Sequence, residues 1–290
     1  MENKMTEDNK RTAILVDSGC DVPSEFIEKY NMKVMPLRIM YPEKDYCDGI
    51  DIEAKMVYSR FPDEIPTTST PTMDEVNEKL KEIIDEGYSK VIAVCISSGL
   101  SGTGNTVRLA AENFPELESF VFDTKSISVG SGIFAVWAGK KLEEGMGFDE
   151  VVRGLKEKVY DSKVFFYMDT LKYLEKGGRI GHVASAIGGL LHLKPIISCG
   201  KDGIYYTVAK VRGSRQGRER IAEEAARYCT GADDWLIFGH GAAEAETASV
   251  ESMVLERTGK RNVLAVKQIT ASLAVHTGPG LVGVVVFSDP

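Results

Sequence analysis

The stretch VIAVCISSGLSGTG, residues 91–104, joins an apolar run to a loop of serines, glycines and a threonine. The apolar run predicts a buried strand, and the small polar residues after it predict a turn into a helix. Ser97 and Ser98 would then lie at the carboxyl end of the strand, where open α/β sheets bind their ligands. The stretch therefore predicts a βα unit with a ligand site at its turn.

Three kinds of ligand suit such a loop: a phosphate, an acyl group attacked by a serine, and a carboxylate that is only held. Gly99 and Gly104 have the GxxxxG spacing of a P-loop, but Asn105 stands where the lysine is required, which argues against nucleotide phosphates. No Gly-x-Ser-x-Gly elbow surrounds Ser97 or Ser98. A catalytic triad is defined by geometry, so a hydrolase or acyltransferase with one of these serines as nucleophile remains an alternative, as does a sugar-phosphate-binding domain.

The wider pattern predicts two α/β domains. Strands alternate with helices up to about residue 160, which is typical of a mainly parallel sheet. Beyond that point a hairpin signal at residues 201–203 and several closely spaced strands predict a mixed or antiparallel sheet. We therefore predict a flexible N-terminal extension over residues 1–11, an N-terminal domain over 12–162 and a C-terminal domain over 163–290.

Composition narrows the classes of function. The chain has 290 residues, 43% of them hydrophobic, and a formal net charge of −8, which does not suit nucleic-acid binding. Its five cysteines include no CxxC pair, and no metal-ligand spacing such as HExxH occurs. The polar start and the absence of a long apolar run predict no signal peptide, no membrane span and a cytoplasmic location.

Further candidate groups stand in other predicted loops. A hydroxyl-rich segment over residues 67–72 precedes a helix, whose free N–H groups attract anions. His276 lies in a turn shaped by glycine and proline, where the backbone N–H groups of Thr277 and Gly278 are placed to meet an anion, and it is also the base of the hydrolase alternative. Arg179 follows two glycines and has the fork geometry that suits a carboxylate or phosphate.

Together these segments resemble the DegV family, the bacterial fatty-acid-binding proteins. The resemblance runs from about residue 12 to 287, with Gly19 in place of a commoner threonine and Thr72 in place of a commoner serine. It rests on six motifs in order: 17–21 (DSGCD), 67–72 (TTSTPT), 97–103 (SSGLSGT), 169–180 (DTLKYLEKGGRI), 193–196 (LKPI) and 276–280 (HTGPG).

The resemblance implies that a long-chain, palmitate-like fatty acid lies between two α/β domains. It implies that Thr68 or Ser69 and Ser97 or Ser98 hold the carboxylate, with the turn of His276, Thr277 and Gly278 close by. Arg179 and Arg212 lie in stretches that resemble those facing the carboxylate or a partner kinase in the family, and they are secondary candidates together with Gly99.

The same resemblance implies a non-catalytic protein without a cofactor. A separate fatty acid kinase would convert the presented acid into an acyl-phosphate for phospholipid synthesis, and the basic residues 210–220 are a candidate docking segment. Burying roughly fourteen methylenes contributes on the order of 11 kcal/mol before entropy costs. We expect the tail to lie against residues 165–168 and 187–193.

Overall fold

A computed structural model describes residues 12–186, 193–261, 263–288 and 290. The predicted extension over 1–11 and most of segment 187–193 lie outside these residues. The strands are β1 (Thr12–Asp17), β2 (Lys33–Met35), β3 (Arg38–Met40), β4 (Asp45–Cys47), β5 (Thr67–Ser69), β6 (Lys90–Cys95), β7 (Glu118–Asp123), β8 (Ser162–Tyr167), β9 (Leu193–Cys199), β10 (Tyr205–Arg212), β11 (Trp235–Gly241), β12 (Ala265–Gln268) and β13 (Leu281–Phe287).

The strands are connected by helices and by two 3₁₀ turns, Ser18–Cys20 and Gly181–Ala186. In the described part of the chain no helix has the length and apolar character needed to cross a bilayer. The helices are α1 (Ser24–Lys29), α2 (Ala54–Arg60), α3 (Met73–Asp85), α4 (Thr103–Ala111), α5 (Val129–Glu143), α6 (Phe148–Lys158), α7 (Lys172–Lys176), α8 (Gly213–Tyr228), α9 (Glu244–Thr258) and α10 (Ala271–Thr277).

Two large sheets confirm the predicted α/β fold. The N-terminal sheet is parallel, with strand order β2-β1-β6-β7. The C-terminal sheet is mixed, with order β10-β9-β8-β13-β11-β12, and its pairs are antiparallel except β11 with β12. The N-terminal strands read as continuous apolar runs because helices cover both faces of a parallel sheet.

A third, antiparallel sheet of β4-β3-β5 departs from the prediction. Residues 41–66 contain β4 and α2, and β5 follows them directly. Each strand of this sheet has three residues, which is too short to show a period of two in the sequence. The small sheet matters for function because β5 carries Thr68.

Helix α5 lies between the two large sheets. Every residue from Val129 to Gly139 is buried, including polar Ser131, and the helix contacts β1 and β6 on one side and β8 and β13 on the other. One continuous core therefore combines side chains of both sheets. A helix with apolar residues around its whole circumference needs such an enclosed position.

Glycines on α5 allow its neighbours to approach closely. A β-carbon at Gly132 would overlap the carbonyl oxygen of Cys20, and one at Gly139 would overlap the ring of Tyr30. The small residues of this helix thus serve close packing between layers.

We expect Gly132→Ala to lower the free energy of unfolding by about 1–3 kcal/mol, because the added methyl group overpacks the contact with Cys20. The matched control is Gly104→Ala in α4, where a β-carbon would lie 3.5 Å from its nearest neighbour. That change should leave stability equal or higher, since alanine favours a helix. Urea unfolding of both variants tests this, and wild-type stability of Gly132→Ala would contradict it.

Candidate functional site

A narrow pocket lies between the first turn of α5, the facing side of the mixed sheet and helix α10. Its empty space is about 910 Å³ including the open mouth, but only about 100 Å³ admits the centre of a water molecule. Most of its wall is apolar, with contributions from Leu37, Ile96, Leu100, Val164, Phe166 and Val285. A space of this kind suits a thin apolar ligand better than a bulky polar one.

Polar side chains from separate elements line the same pocket. Strand β5 supplies Thr68 and Ser69, the loop before α4 supplies Ser101, and α10 supplies His276. Arg179, from the segment after α7, joins them on the pocket wall. The structure thus brings together residues that are far apart in the sequence, and four of the six motifs meet here.

A hydrogen bond of 2.8 Å joins Thr68 Oγ1 to His276 Nε2. Burial, with a smaller contribution from the charge of Arg179, lowers the pKa of His276 to about 4. The imidazole is therefore neutral at physiological pH. With its proton on Nε2, His276 donates to Thr68 and leaves the threonine hydroxyl free to donate to a ligand oxygen.

The segment after α7 packs directly on this histidine. Nδ1 of His276 is buried and has no hydrogen-bond partner among the described residues. A β-carbon at Gly177 would overlap that nitrogen, so the glycine is what allows the close approach. Arg179 donates a 2.7 Å hydrogen bond to the carbonyl oxygen of Gly177, which holds the guanidinium at the pocket.

Ser97 and Ser98 do not line the pocket, contrary to the expectation. The buried Ser97 Oγ donates to the carbonyl oxygen of Gly203 at 2.8 Å, so this serine holds the β9–β10 hairpin. Ser98 is exposed, and its Oγ accepts from Lys125 Nζ at 3.1 Å. A turn over residues 98–100 carries Ser101 of the same loop to the pocket instead.

The other predicted site residues take different positions. Gly99 lies against the carbonyl oxygen of Gly203, and Arg212 is an exposed residue at the end of β10. Thr277 is on the pocket wall, but its hydroxyl donates to the carbonyl oxygen of Leu273. His276 was expected in a turn, but it lies in the last turn of α10, and the N–H of Gly278 donates to the carbonyl oxygen of Ala274 and is not a free donor.

This geometry does not favour the serine-nucleophile alternative. The hydroxyl of Ser97 is occupied by Gly203, and that of Ser98 by Lys125. The proposed base, His276, pairs through Nε2 with Thr68. Neither serine is thus paired with the imidazole in the way that activates a nucleophile.

Three buried aspartates, Asp17, Asp21 and Asp48, underlie the pocket. Asp21 accepts from Ser128 Oγ at 2.5 Å, and Asp48 accepts from Ser272 Oγ at 2.5 Å. Both serines line the pocket, so the carboxyls fix its wall. Asp17 accepts from the N–H of Ile96 at 2.9 Å. The described residues include no group of His, Cys, Asp and Glu arranged to hold a metal ion.

Burial raises the pKa of Asp17 and of Asp21 to about 7, and it also raises the pKa of Asp48. Water normally stabilises the ionised carboxylate, and these sites have lost it. The folded protein therefore retains protons that the unfolded chain releases near pH 4.

We expect stability to fall as pH rises from 5 to 8, because the unfolded state binds fewer protons than the folded state across this window. Asp17→Asn should reduce that fall, since the amide oxygen can still accept from Ile96 and the side chain cannot ionise. The comparison of the two proteins cancels the opposite contribution of His276, whose pKa is lowered. Urea unfolding at pH 5 and pH 8 measures both, and equal pH dependence would contradict the assignment.

Comparison with known proteins finds relatives of one family that align with almost the whole chain. A family model described as uncharacterised protein, DegV family, matches residues 11–289. A DegV domain-containing protein of Clostridium acetobutylicum is 39% identical over 285 residues, which is 96% of this chain and 99% of the relative.

Solved structures share the same fold. A DegV family protein from Thermus thermophilus, described by its fatty-acid binding, aligns with a TM-score of 0.89 at 30% identity and covers 96% of this chain and 99% of its own. A stearic-acid-binding protein from Eubacterium ventriosum aligns with a TM-score of 0.87 at 27% identity, over 95% of this chain and 97% of its own. Likeness of this extent covers both large sheets.

Proposed function

This chain belongs to the DegV family, and from that premise we propose that it binds a long-chain, palmitate-like fatty acid in the pocket described above. The observation that carries the proposal is the Thr68–His276 hydrogen bond at the polar part of a narrow apolar pocket. Related proteins described as fatty-acid-binding support it. The apolar wall favours an acyl chain over a sugar phosphate.

The polar groups compensate for the main energetic cost of binding a fatty acid, which is the desolvation of its carboxylate. A carboxylate loses its hydration on entering the protein, and several donors are needed to compensate. We propose that the hydroxyls of Thr68 and Ser101 supply them, with the guanidinium of Arg179 beside them. The hydroxyl of Ser69 donates to the carbonyl oxygen of Thr70 at 3.2 Å, and it joins them when it rotates away from that oxygen. Ser101 takes the role first expected of Ser97 or Ser98.

The apolar wall supplies the affinity for the tail. Each buried methylene contributes about 0.8 kcal/mol, so the length of chain enclosed dominates the binding free energy. Neutral His276 avoids placing a second full charge beside Arg179. The site is thus built to hold an acid at one end and hydrocarbon along the rest.

We expect Thr68→Ala to weaken binding of palmitate by about 10- to 100-fold, because the carboxylate loses a donor in a desolvated site. Binding of neutral methyl palmitate should change much less. Ser98→Ala is the matched control and should bind both ligands as the wild type does, since its hydroxyl is exposed beside Lys125. Titration calorimetry or a fluorescent-acid displacement assay measures the four affinities.

Two outcomes of these measurements would count against the proposal. Equal losses for acid and ester would show that Thr68 does not hold the carboxylate. Native mass spectrometry that detects no lipid on the purified protein, and none after palmitate is added, would refute fatty-acid binding itself.

We further propose that the protein is a non-catalytic cytoplasmic carrier that presents its acid to a fatty acid kinase. In that reaction a carboxylate oxygen bonds to the γ-phosphorus of ATP as the bond to ADP breaks, all on the kinase. The exposed basic residues of β10 and α8, Lys210, Arg212 and Arg215, are the proposed docking surface.

We expect Arg212→Glu to lower the rate of ADP release by a purified fatty acid kinase supplied with the palmitate-loaded protein, because charge reversal opposes docking. The affinity for palmitate should remain at the wild-type value, since Arg212 lies outside the pocket. Arg108→Glu on α4, another exposed arginine, is the control. An unchanged rate with Arg212→Glu would contradict this surface.

A further inference from the structure

A row of residues crosses the face of the mixed sheet that looks toward α5. Gly239 on β11 lies directly opposite Gly283 on β13, Gly283 lies opposite Phe166 on β8, and Phe166 lies opposite Ile197 on β9. Two neighbouring strands in the middle of the sheet thus present glycine at the same level. Because neither glycine has a side chain, the row has a gap across two strands, and Phe166 borders that gap.

Both glycines face the pocket. Along β13 the residues Leu281, Val285 and Phe287 pack into the core around α5, whereas the intervening valines pack on the opposite face. Gly283 alternates along the strand with Leu281 and Val285, so it lies on the face toward α5, and it lines the pocket. A β-carbon at Gly239 would point toward Ile269, Ser128 and Val129, which are also on the pocket wall.

The protein's own structure does not require glycine at these two positions. Neither residue is among those described with a positive φ. A β-carbon would lie 3.8 Å from its nearest neighbour at Gly239 and 3.4 Å at Gly283, which are ordinary contact distances. This differs from Gly132, where a β-carbon would overlap backbone.

Glycine in the interior of a central strand weakens the sheet, because it loses more conformational freedom and buries no side chain. Two paired glycines with room for a methyl group therefore point to something other than protein that occupies the space. Along β13 the gap at Gly283 lies two residues after Leu281, which is near His276 in the chain. It lies two residues before Val285, which pairs with Val164 on β8. Levels on one face are about 6.6–6.8 Å apart along a strand.

We propose that Gly239 and Gly283 form the part of the pocket wall against which the acyl chain lies, and that they determine the length and width of the acyl chain that the pocket accepts. This inference rests on the proposed fatty-acid binding and assigns its specificity. A methyl group at either position takes volume from the tail and leaves the carboxylate end unchanged. The longest acids therefore lose most, and shorter acids that leave spare volume lose less.

The test compares Gly239→Ala, Gly283→Ala and wild-type protein, with Gly104→Ala in α4 as the control outside the pocket. Affinities are measured for saturated acids from decanoate to stearate, and stability by urea unfolding. We expect affinity for stearate to fall about tenfold or more in both pocket variants, as for one methylene of misfit. The preference should move toward shorter acids, and the unfolding midpoints should equal or exceed that of the wild type.

The possible results distinguish a failure of the proposed fatty-acid binding from a failure of the role proposed for the glycine pair. Wild-type protein that binds none of these acids would refute the proposed function. Binding by the wild type, together with an unchanged chain-length profile in both variants, would overturn only the role of the glycine pair. Unfolding of both variants at lower urea would also overturn it, because the inference requires free space for each methyl group.

Discussion

The burial of α5 on every side is the constraint on which the rest of the structure depends. A helix with apolar residues around its whole circumference must have a layer on each face, and the two large sheets are those layers. Its glycines bring the layers close along most of its length. At its first turn, where Ser128 precedes Val129, a space remains between the sheets, and the pocket lies there.

Polar contacts between distant parts of the chain fix the walls around that opening. Each joins the N-terminal half of the sequence to the C-terminal half, and each satisfies groups that would otherwise be buried without a partner. The contacts are Thr68 with His276, Asp48 with Ser272, Asp21 with the N–H of Thr270, and Ser97 with the carbonyl oxygen of Gly203. Hydrogen bonds therefore join the two halves of the sequence around the pocket.

The sequence predicted structure correctly where a local pattern of residues has a single structural meaning. Apolar runs predicted the strands of both large sheets, and the hydroxyl-rich segment over residues 67–72 predicted the start of α3, which Thr72 caps together with Glu75. The choice between Ser97, Ser98 and Ser101 depended on a turn of three residues, whose direction composition does not determine. The aspartates under the pocket were missed because Asp17 and Asp21 have the same local pattern as ordinary turn residues.

The contact between Gly177 and His276 links two motifs that lie 99 positions apart in the printed sequence. In the sequence, Gly177 looks like the end of a short helix, yet in the structure its missing side chain is the space that the imidazole fills. Any larger residue at 177 has to displace the ring from Thr68, whereas a smaller residue at 276 releases position 177 from that restriction. The two positions are therefore expected to change together in evolution.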